Sequence, residues 1–153
     1  MILFIDFDGV LHPIQRSEPD FCRLELLWEI LRACPNVEVV FSTSWREIYT
    51  TQELVMRVTK GGGENLTHRI IGSNPSTPRA RSTYVAGAQP TRHVECERWL
   101  AENGQQHRAW LALDDIPEIF PPSSPTLYLV NGRTGLTEVD VEKLIDKLTQ
   151  VRK

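Results

Sequence analysis

The chain has 153 residues, of which 41% are hydrophobic and 24% charged, so it can build one domain with a single sizeable core. Its net charge of -3 excludes a broad basic field, and any contact with nucleic acid therefore has to be local. No apolar run approaches the roughly 20 residues that span a bilayer, and no charged-then-apolar leader is present, so we expect a cytoplasmic protein.

The first predicted strand ends in two aspartates. Residues 2–5 form a continuous apolar run, which is typical of a strand buried on both faces of a parallel sheet. Asp6 and Asp8 follow two positions apart, so on an extended chain both carboxylates point to the same side. Gly9 comes next, and a simple Asp-Gly turn would also explain the pair. Two interpretations are therefore open here: a turn cap, or a carboxylate site that needs a divalent cation.

The second predicted strand also ends in polar residues. It covers residues 37–41 and runs directly into the hydroxyl-bearing segment 42–44. A helix is predicted over residues 47–58, with Ser44 as its N-cap and Ile48 on its core side.

The whole chain alternates short β-rich runs with amphipathic helices. Strands are predicted at residues 2–5, 37–41, 68–72, 109–113 and 126–130. Helices are predicted at residues 21–33, 47–58, 91–103 and 137–151. In the third helix, Thr91 is the expected cap and Val94 an apolar position. The alternation predicts an α/β fold, a three-layer α/β/α sandwich with a central, mostly parallel five-stranded sheet, in a single domain over residues 1–153.

Right-handed crossovers place the carboxyl end of every parallel strand at the same edge of the sheet. Asp114 and Asp115 follow the fourth strand, so they join Asp6, Asp8 and the segment 42–44 at this edge. Adjacent residues on an extended chain point to opposite sides, so we do not expect Asp114 and Asp115 to bind an ion in the same way. A helix cap would also explain this second pair.

Two loops, residues 9–20 and 73–90, flank this edge of the predicted sheet. The second is rich in Ser, Pro, Thr, Gly and Ala, and both a disordered connection and a substrate-facing flap fit it. The cysteines Cys22, Cys34 and Cys96 are odd in number and widely spaced, so we expect thiols that pack as small apolar groups rather than disulfides.

Four ordered segments resemble the haloacid dehalogenase-like (HAD) superfamily of phosphohydrolases, which use an aspartate nucleophile. They are Asp6-Phe7-Asp8-Gly9-Val10, the hydroxyl residue Thr43, the basic residue Arg92 and the pair Asp114-Asp115. The stretches Asp-Gly-Val-Leu-His-Pro, Ser-Thr-Ser-Trp-Arg, Leu-Asp-Asp and Gly-Leu-Thr are similar to small HAD domains that accompany RNA-repair proteins. The resemblance implies a Rossmann-like fold and a Mg2+-dependent phosphatase that forms an aspartyl-phosphate intermediate.

The resemblance also implies roles for the aspartates. Asp6 would be the nucleophile, and Asp8 would protonate the leaving group and then activate water. The metal would be held by Asp6, Asp8, Asp114 and Asp115, with the backbone carbonyl of Asp8 facing it. By comparison with the family, Asp115 is the direct ligand of the last pair and Asp114 steers a metal-bound water or another ligand, although the sequence leaves the reverse assignment open.

The resemblance implies phosphate contacts at residue 9 and in the segment 42–44. The phosphate-binding hydroxyl is that of Thr43 or Ser42, with further contacts at Gly9 and at the backbone of Ser44. The fixed cation is either Arg92, where the superfamily more often has lysine, or Arg46, which directly follows the second motif. The sequence leaves both choices open.

The loops are too short for the separate cap domain that many superfamily members carry. An open site suits phosphates on large molecules such as nucleic-acid ends. A local basic rim could bind such a backbone, and its predicted members are His12, Arg16, Arg79, Arg81 and Arg92.

A different class of protein would use the same aspartates. A regulatory module binds Mg2+ and phosphate without turnover, and an RNA-end-binding subunit needs no activity at all. Receiver-like modules depend on a lysine after the last strand, and residues 131–133 supply none. The oligomeric state is open.

Overall fold

The computed structural model describes residues 1–75 and 91–150. Its strands are β1 (Ile2–Ile5), β2 (Glu38–Phe41), β3 (Ile70–Ser73), β4 (Trp110–Asp114) and β5 (Leu127–Leu129). They form one parallel sheet in the order β3-β2-β1-β4-β5, so β1 is the central strand. The predicted α/β class with a parallel five-stranded sheet is confirmed.

Helices cover both faces of this sheet. They are α1 (Leu24–Ala33), α2 (Thr51–Thr59), α3 (Thr91–Glu102) and α4 (Glu138–Gln150). Leu3 and Ile5 of the central strand pack into the larger core with α1, α2 and α4, whereas Ile2 and Phe4 pack against α3. All four side chains are 0% exposed, which explains why the strand reads as a continuous apolar run. The three-layer prediction is confirmed.

The predicted start of the second helix is wrong. Ser44 does not cap an α-helix, because Ser44–Glu47 is a 3₁₀ helix capped by Thr43. The α-helix begins only after Thr50, whose hydroxyl accepts from the Glu53 N–H while the Glu53 carboxylate accepts from the Thr50 N–H. This capping box satisfies two helix-end donors at once. Ile48, predicted for the core, lies between the two helices and is 79% exposed.

Other predicted boundaries shift for local reasons. Phe21 has a positive φ of 63°, which is incompatible with a helix, so α1 starts later than residue 21. Thr91 is the first residue of α3 rather than its cap. Val94, an expected apolar position, is 38% exposed, because the buried face of α3 carries other residues. The expected 73–90 flap falls largely outside the described residues.

Two of the three cysteines pack as small apolar groups, as expected. Cys22, Cys34 and Cys96 form no disulfide, and Cys34 and Cys96 are buried. Over residues 1–75 and 91–150, no helix combines the length and the apolar composition needed to cross a membrane.

The start of α2 can be tested by stability. Thr50→Ala removes the side-chain half of the capping box and should lower the free energy of unfolding by about 1 kcal/mol. Ser44→Ala is the matched control and should cost less than about 0.5 kcal/mol, because Ser44 caps no α-helix. Urea unfolding measures both, and a larger loss in Ser44→Ala would restore the boundary expected from the sequence.

Candidate active site

Sheet register brings three polar residues together at the carboxyl edge. Ile5 at the end of β1 pairs with Phe41 of β2 and Leu113 of β4. The next residues of these three strands are therefore neighbours, and they are Asp6, Ser42 and Asp114. Two backbone bonds continue the ladder there, from Asp6 N–H to the Leu113 carbonyl (3.0 Å) and from Ser42 N–H to the Ile5 carbonyl (2.8 Å).

Three carboxylates converge at this point. One oxygen from each of Asp6, Asp114 and Asp115 lies within 4.8 Å of the other two. Asp114 Oδ2 and Asp115 Oδ1 are buried and have no hydrogen-bond partner among the described residues. Hard oxygen donors left unpaired in such a group are suited to a divalent cation such as Mg2+. The expectation that Asp114 and Asp115 point apart is not met, because β4 ends at Asp114 and the chain bends at Asp115.

Two glycines make room for the Asp115 carboxylate. A Cβ atom at either Gly9 or Gly132 would collide with Asp115 Oδ2. Gly9 also has a φ of +77°, which other residues rarely adopt. Gly9, predicted as a phosphate contact, thus packs against Asp115. Gly132 was missed from the sequence, although its place in the loop after the last strand was a usable signal.

The electrostatics of the cluster favour a cation. Burial, with the nearby charge of Asp114, raises the pKa of Asp6 to about 8. Burial likewise raises the pKa of Asp114 to about 6, against the opposing effect of Arg92, and raises that of Asp115. At least one carboxylate of the cluster therefore holds a proton near neutral pH unless another positive charge replaces it.

Arg92 places its guanidinium beside the nucleophile candidate. It is the second residue of α3, and its Nη1 lies 4.0 Å from Asp6 Oδ1, with no hydrogen-bond partner in the part of the chain that the structure describes. The residue is only 7% exposed. Burial alone would lower the pKa of Arg92, but the carboxylates of Asp6, Asp114 and Glu95 raise it above its ordinary value. Arg92 is thus a fixed cation with a donor to offer in the site.

Arg46, the rival cation, is bound farther from Asp6. Its Nη2 donates to Glu95 Oε2 at 3.0 Å and its Nη1 to the Thr43 carbonyl at 2.6 Å. The same Glu95 oxygen lies 3.7 Å from Arg92 Nε, so Glu95 joins the two arginines. Glu95 was missed from the sequence, although its i, i+3 spacing from Arg92 on one helix was visible.

The hydroxyl candidates have different surroundings. Thr43 is fully buried, and its Oγ1 accepts from the Trp45 N–H at 3.3 Å. Ser42 Oγ accepts from the Asn74 amide at 2.9 Å. Ser44 begins a 3₁₀ helix of only four residues, so its backbone does not head an α-helix. Asn74 was missed, yet it follows β3 at the same edge of the sheet.

The Asp8 carboxylate is not part of the group of three. Its Oδ1 bonds His12 Nε2 at 2.8 Å and its Oδ2 accepts from Trp45 Nε1 at 3.0 Å. The chain turns directly after the strand, with the N–H groups of residues 10 and 11 donating to the Phe7 carbonyl, so Asp6 and Asp8 do not share one extended segment. Asp8 still lies close enough for its charge to raise the pKa of Asp115.

The predicted basic rim is only partly described. Arg79 and Arg81 lie outside the described residues. His12 is 1% exposed and bound to Asp8, and Arg92 is 7% exposed, so neither is a rim residue. Arg16 is exposed, as a rim residue would be.

A parallel α/β sandwich with acidic residues at the ends of its first and fourth strands is consistent with the class of HAD-like domains. The comparison with family models agrees, because the model described as "HAD domain in Swiss Army Knife RNA repair proteins" matches residues 2–141. The chain belongs to this family. No curated protein and no solved structure matches it.

The acidic cluster predicts that the stability of the metal-free protein falls as the pH rises from 6 to 8. Without metal, the melting temperature should rise as the pH is lowered from 8 to 6, because folded Asp6 has a pKa of about 8 against an ordinary value of 3.8. The folded state then binds more protons than the unfolded state, so stability falls as the pH rises through this window.

Differential scanning fluorimetry across this range measures the slope. Mg2+ should raise the melting temperature most at pH 8, where the carboxylates are most ionised, and should flatten the slope. Asp6→Asn should flatten it without metal. A melting temperature that rises from pH 6 to 8 in the metal-free protein would contradict the assignment.

Proposed function

We propose that the chain, as one domain over residues 1–153, is a Mg2+-dependent phosphatase that acts through an aspartyl-phosphate on phosphomonoesters at nucleic-acid ends. One observation carries the proposal. Asp6 lies among three buried polar atoms that have no hydrogen-bond partner in the described residues, namely Asp114 Oδ2, Asp115 Oδ1 and Arg92 Nη1. Two unpaired acceptors for a cation and one unpaired donor for an anion suit a metal beside a phosphate.

Asp6, Asp114 and Asp115 would hold the ion, with the Asp8 backbone completing the set. When bound, Mg2+ offsets the repulsion between the Asp6 carboxylate and a phosphate dianion. Which of Asp114 and Asp115 binds it directly is part of the proposal, and we favour Asp115. Its carboxylate sits in the space left by two glycines, where an oxygen without a hydrogen-bond partner in the described chain is held in place.

The proposed reaction has two transfers. Asp6 attacks phosphorus, the bond from phosphorus to the ester oxygen breaks, and Asp8 gives its proton to the departing alkoxide. Asp8 then takes a proton from water, which attacks the aspartyl-phosphate and releases inorganic phosphate with Asp6 regenerated. Arg92 remains charged throughout and would bind the phosphoryl oxygens.

The remaining phosphate contacts would come from residues that follow β2. Ser42 lies beside Asp6 in the register, and Thr43 is the next residue, so either hydroxyl could serve the same phosphate. Backbone groups of Gly9 and Ser44 would add donors. Arg46 would act through Glu95 and Arg92, since its own guanidinium is bound to Glu95 and the Thr43 carbonyl.

Support for a nucleic-acid substrate comes from the family, whose description names RNA repair. The described residues contain no inserted cap domain, and the Asp8 side chain is 37% exposed. Both features favour a phosphate at the end of a large molecule over a small enclosed substrate. A cytoplasmic location is part of the same proposal.

Catalysis is tested first with p-nitrophenyl phosphate and Mg2+. Asp6→Asn should lower kcat by at least about a thousandfold, because the nucleophile is lost, and chelation should abolish turnover. Asp146→Asn on the exposed side of α4 is the matched control and should keep wild-type turnover. Asp6→Asn with full activity would refute the proposal, and a long-lived phospho-aspartate without phosphate release would identify a regulatory module instead.

The substrate class is tested by a panel. It contains RNA and DNA oligonucleotides with 5′- or 3′-phosphates, mononucleotides, sugar phosphates and phosphopeptides. We expect the highest kcat/KM for an RNA end, because the family description names RNA repair and the Asp8 side chain is 37% exposed. A preference for free sugar phosphates would overturn the argument from the missing cap domain.

A further inference from the structure

We propose that His12 is a positioning residue, which holds Asp8 in the orientation for proton transfer by donating to one of its carboxylate oxygens. The inference rests on the proposed function, since it assigns a residue to the acid and base step of that reaction. His12 Nε2 lies 2.8 Å from Asp8 Oδ1, and the histidine is only 1% exposed. Its environment shows which ring nitrogen carries the proton.

The other side of the His12 ring determines its tautomer. The backbone N–H of Phe21 points at His12 Nδ1 over 3.1 Å, so Nδ1 must be an acceptor. The ring proton is therefore assigned to Nε2, where it is donated to Asp8. A histidine held in this way supplies a hydrogen bond and exchanges no proton with the substrate.

A second donor fixes the other Asp8 oxygen. Trp45 Nε1, which can only donate, lies 3.0 Å from Asp8 Oδ2. The two donors come from different segments and together set the plane of the carboxylate. Each oxygen keeps a second lone pair, so one of them can still carry and transfer the catalytic proton.

The backbone at Phe21 shows that this arrangement is imposed on the chain. Phe21 has a φ of 63°, a left-handed conformation that residues with a side chain rarely adopt. Its ring meets those of Phe7, His12 and Trp45 edge-on at centroid distances of 5.1 to 5.5 Å. This packing holds the conformation in which the Phe21 N–H reaches His12.

A purely structural role is the competing explanation, because the His12 ring also ties residue 21 to the turn after β1. The two roles use different nitrogens, and two amide side chains separate them. In His12→Asn the amide oxygen can replace Nδ1 and keep the Phe21 contact, but the side chain is too short to reach Asp8. In His12→Gln the amide nitrogen can replace Nε2 and keep the donor to Asp8.

The experiment compares phenyl phosphate with p-nitrophenyl phosphate, two substrates of similar shape. Departure of phenolate needs proton donation far more than departure of p-nitrophenolate. The ratio of kcat/KM for phenyl phosphate to that for p-nitrophenyl phosphate isolates the acid step, because kcat/KM reports aspartyl-phosphate formation. We expect His12→Asn to lower this ratio on the order of tenfold or more, and His12→Gln to stay near wild type.

A structural role predicts the opposite order, with His12→Gln more damaged than His12→Asn and the substrate ratio unchanged in both; that result overturns the inference. Trp45→Phe keeps the aromatic contacts, removes the other donor and should also lower the ratio, so it serves if His12→Asn does not fold. Wild-type protein that hydrolyses neither substrate refutes the proposed function and this inference with it. If the wild-type protein hydrolyses both substrates and His12→Asn leaves the ratio of kcat/KM values unchanged, the inference alone is refuted.

A long-range ¹H–¹⁵N spectrum of the metal-free protein gives a readout that needs no activity. His12 should show a protonated Nε2 and an unprotonated Nδ1. The opposite tautomer would remove the donor to Asp8 and overturn the inference.

Discussion

The repulsion among the carboxylates of Asp6, Asp114 and Asp115, of which the first two are buried, is the constraint on which the site depends. Burial alone disfavours the charged form of Asp6, and the neighbouring Asp114 disfavours it further. The surrounding groups limit this cost: Arg92 is held beside Asp6 by the first turn of α3, and the Phe7 N–H donates to Asp6 Oδ1 at 2.8 Å. The negative charge that they leave uncompensated is what a divalent cation would neutralise.

The turn at Gly9 gives the two aspartates of the first motif different surroundings. Asp6 continues the face of β1 that carries Ile2 and Phe4, and this face packs against α3, where Arg92 lies. Asp8 comes after the strand has ended and is held by side chains from the loop and the 3₁₀ helix instead. Asp6 is shielded from water within the cluster, which suits a nucleophile. Asp8 is more exposed and is bound to neutral donors, which suits a proton carrier.

Much of this arrangement was predictable because it follows from alternation and strand order. The buried run at residues 2–5 and the polar residues after the strands required a parallel sheet with one polar edge. What could not be predicted depends on backbone conformation away from the strands. The direction of Asp115 depends on Gly132, and the bond from His12 to Asp8 depends on the left-handed Phe21. The start of α2 depended on two competing caps, of which Thr50 formed the capping box.

The second arginine of the described site explains how the first one stays available to Asp6. Glu95 lies on α3 one turn after Arg92 and, without another partner, would draw that guanidinium toward itself. Arg46 instead takes the shorter contact with Glu95, at 3.0 Å against 3.7 Å for Arg92. Both side chains of the Arg46–Glu95 pair are buried, so their charges offset each other where water screens little. Arg92 Nη1 therefore stays near Asp6, which favours Arg92 over Arg46 in the choice between two candidate cations that the sequence left open.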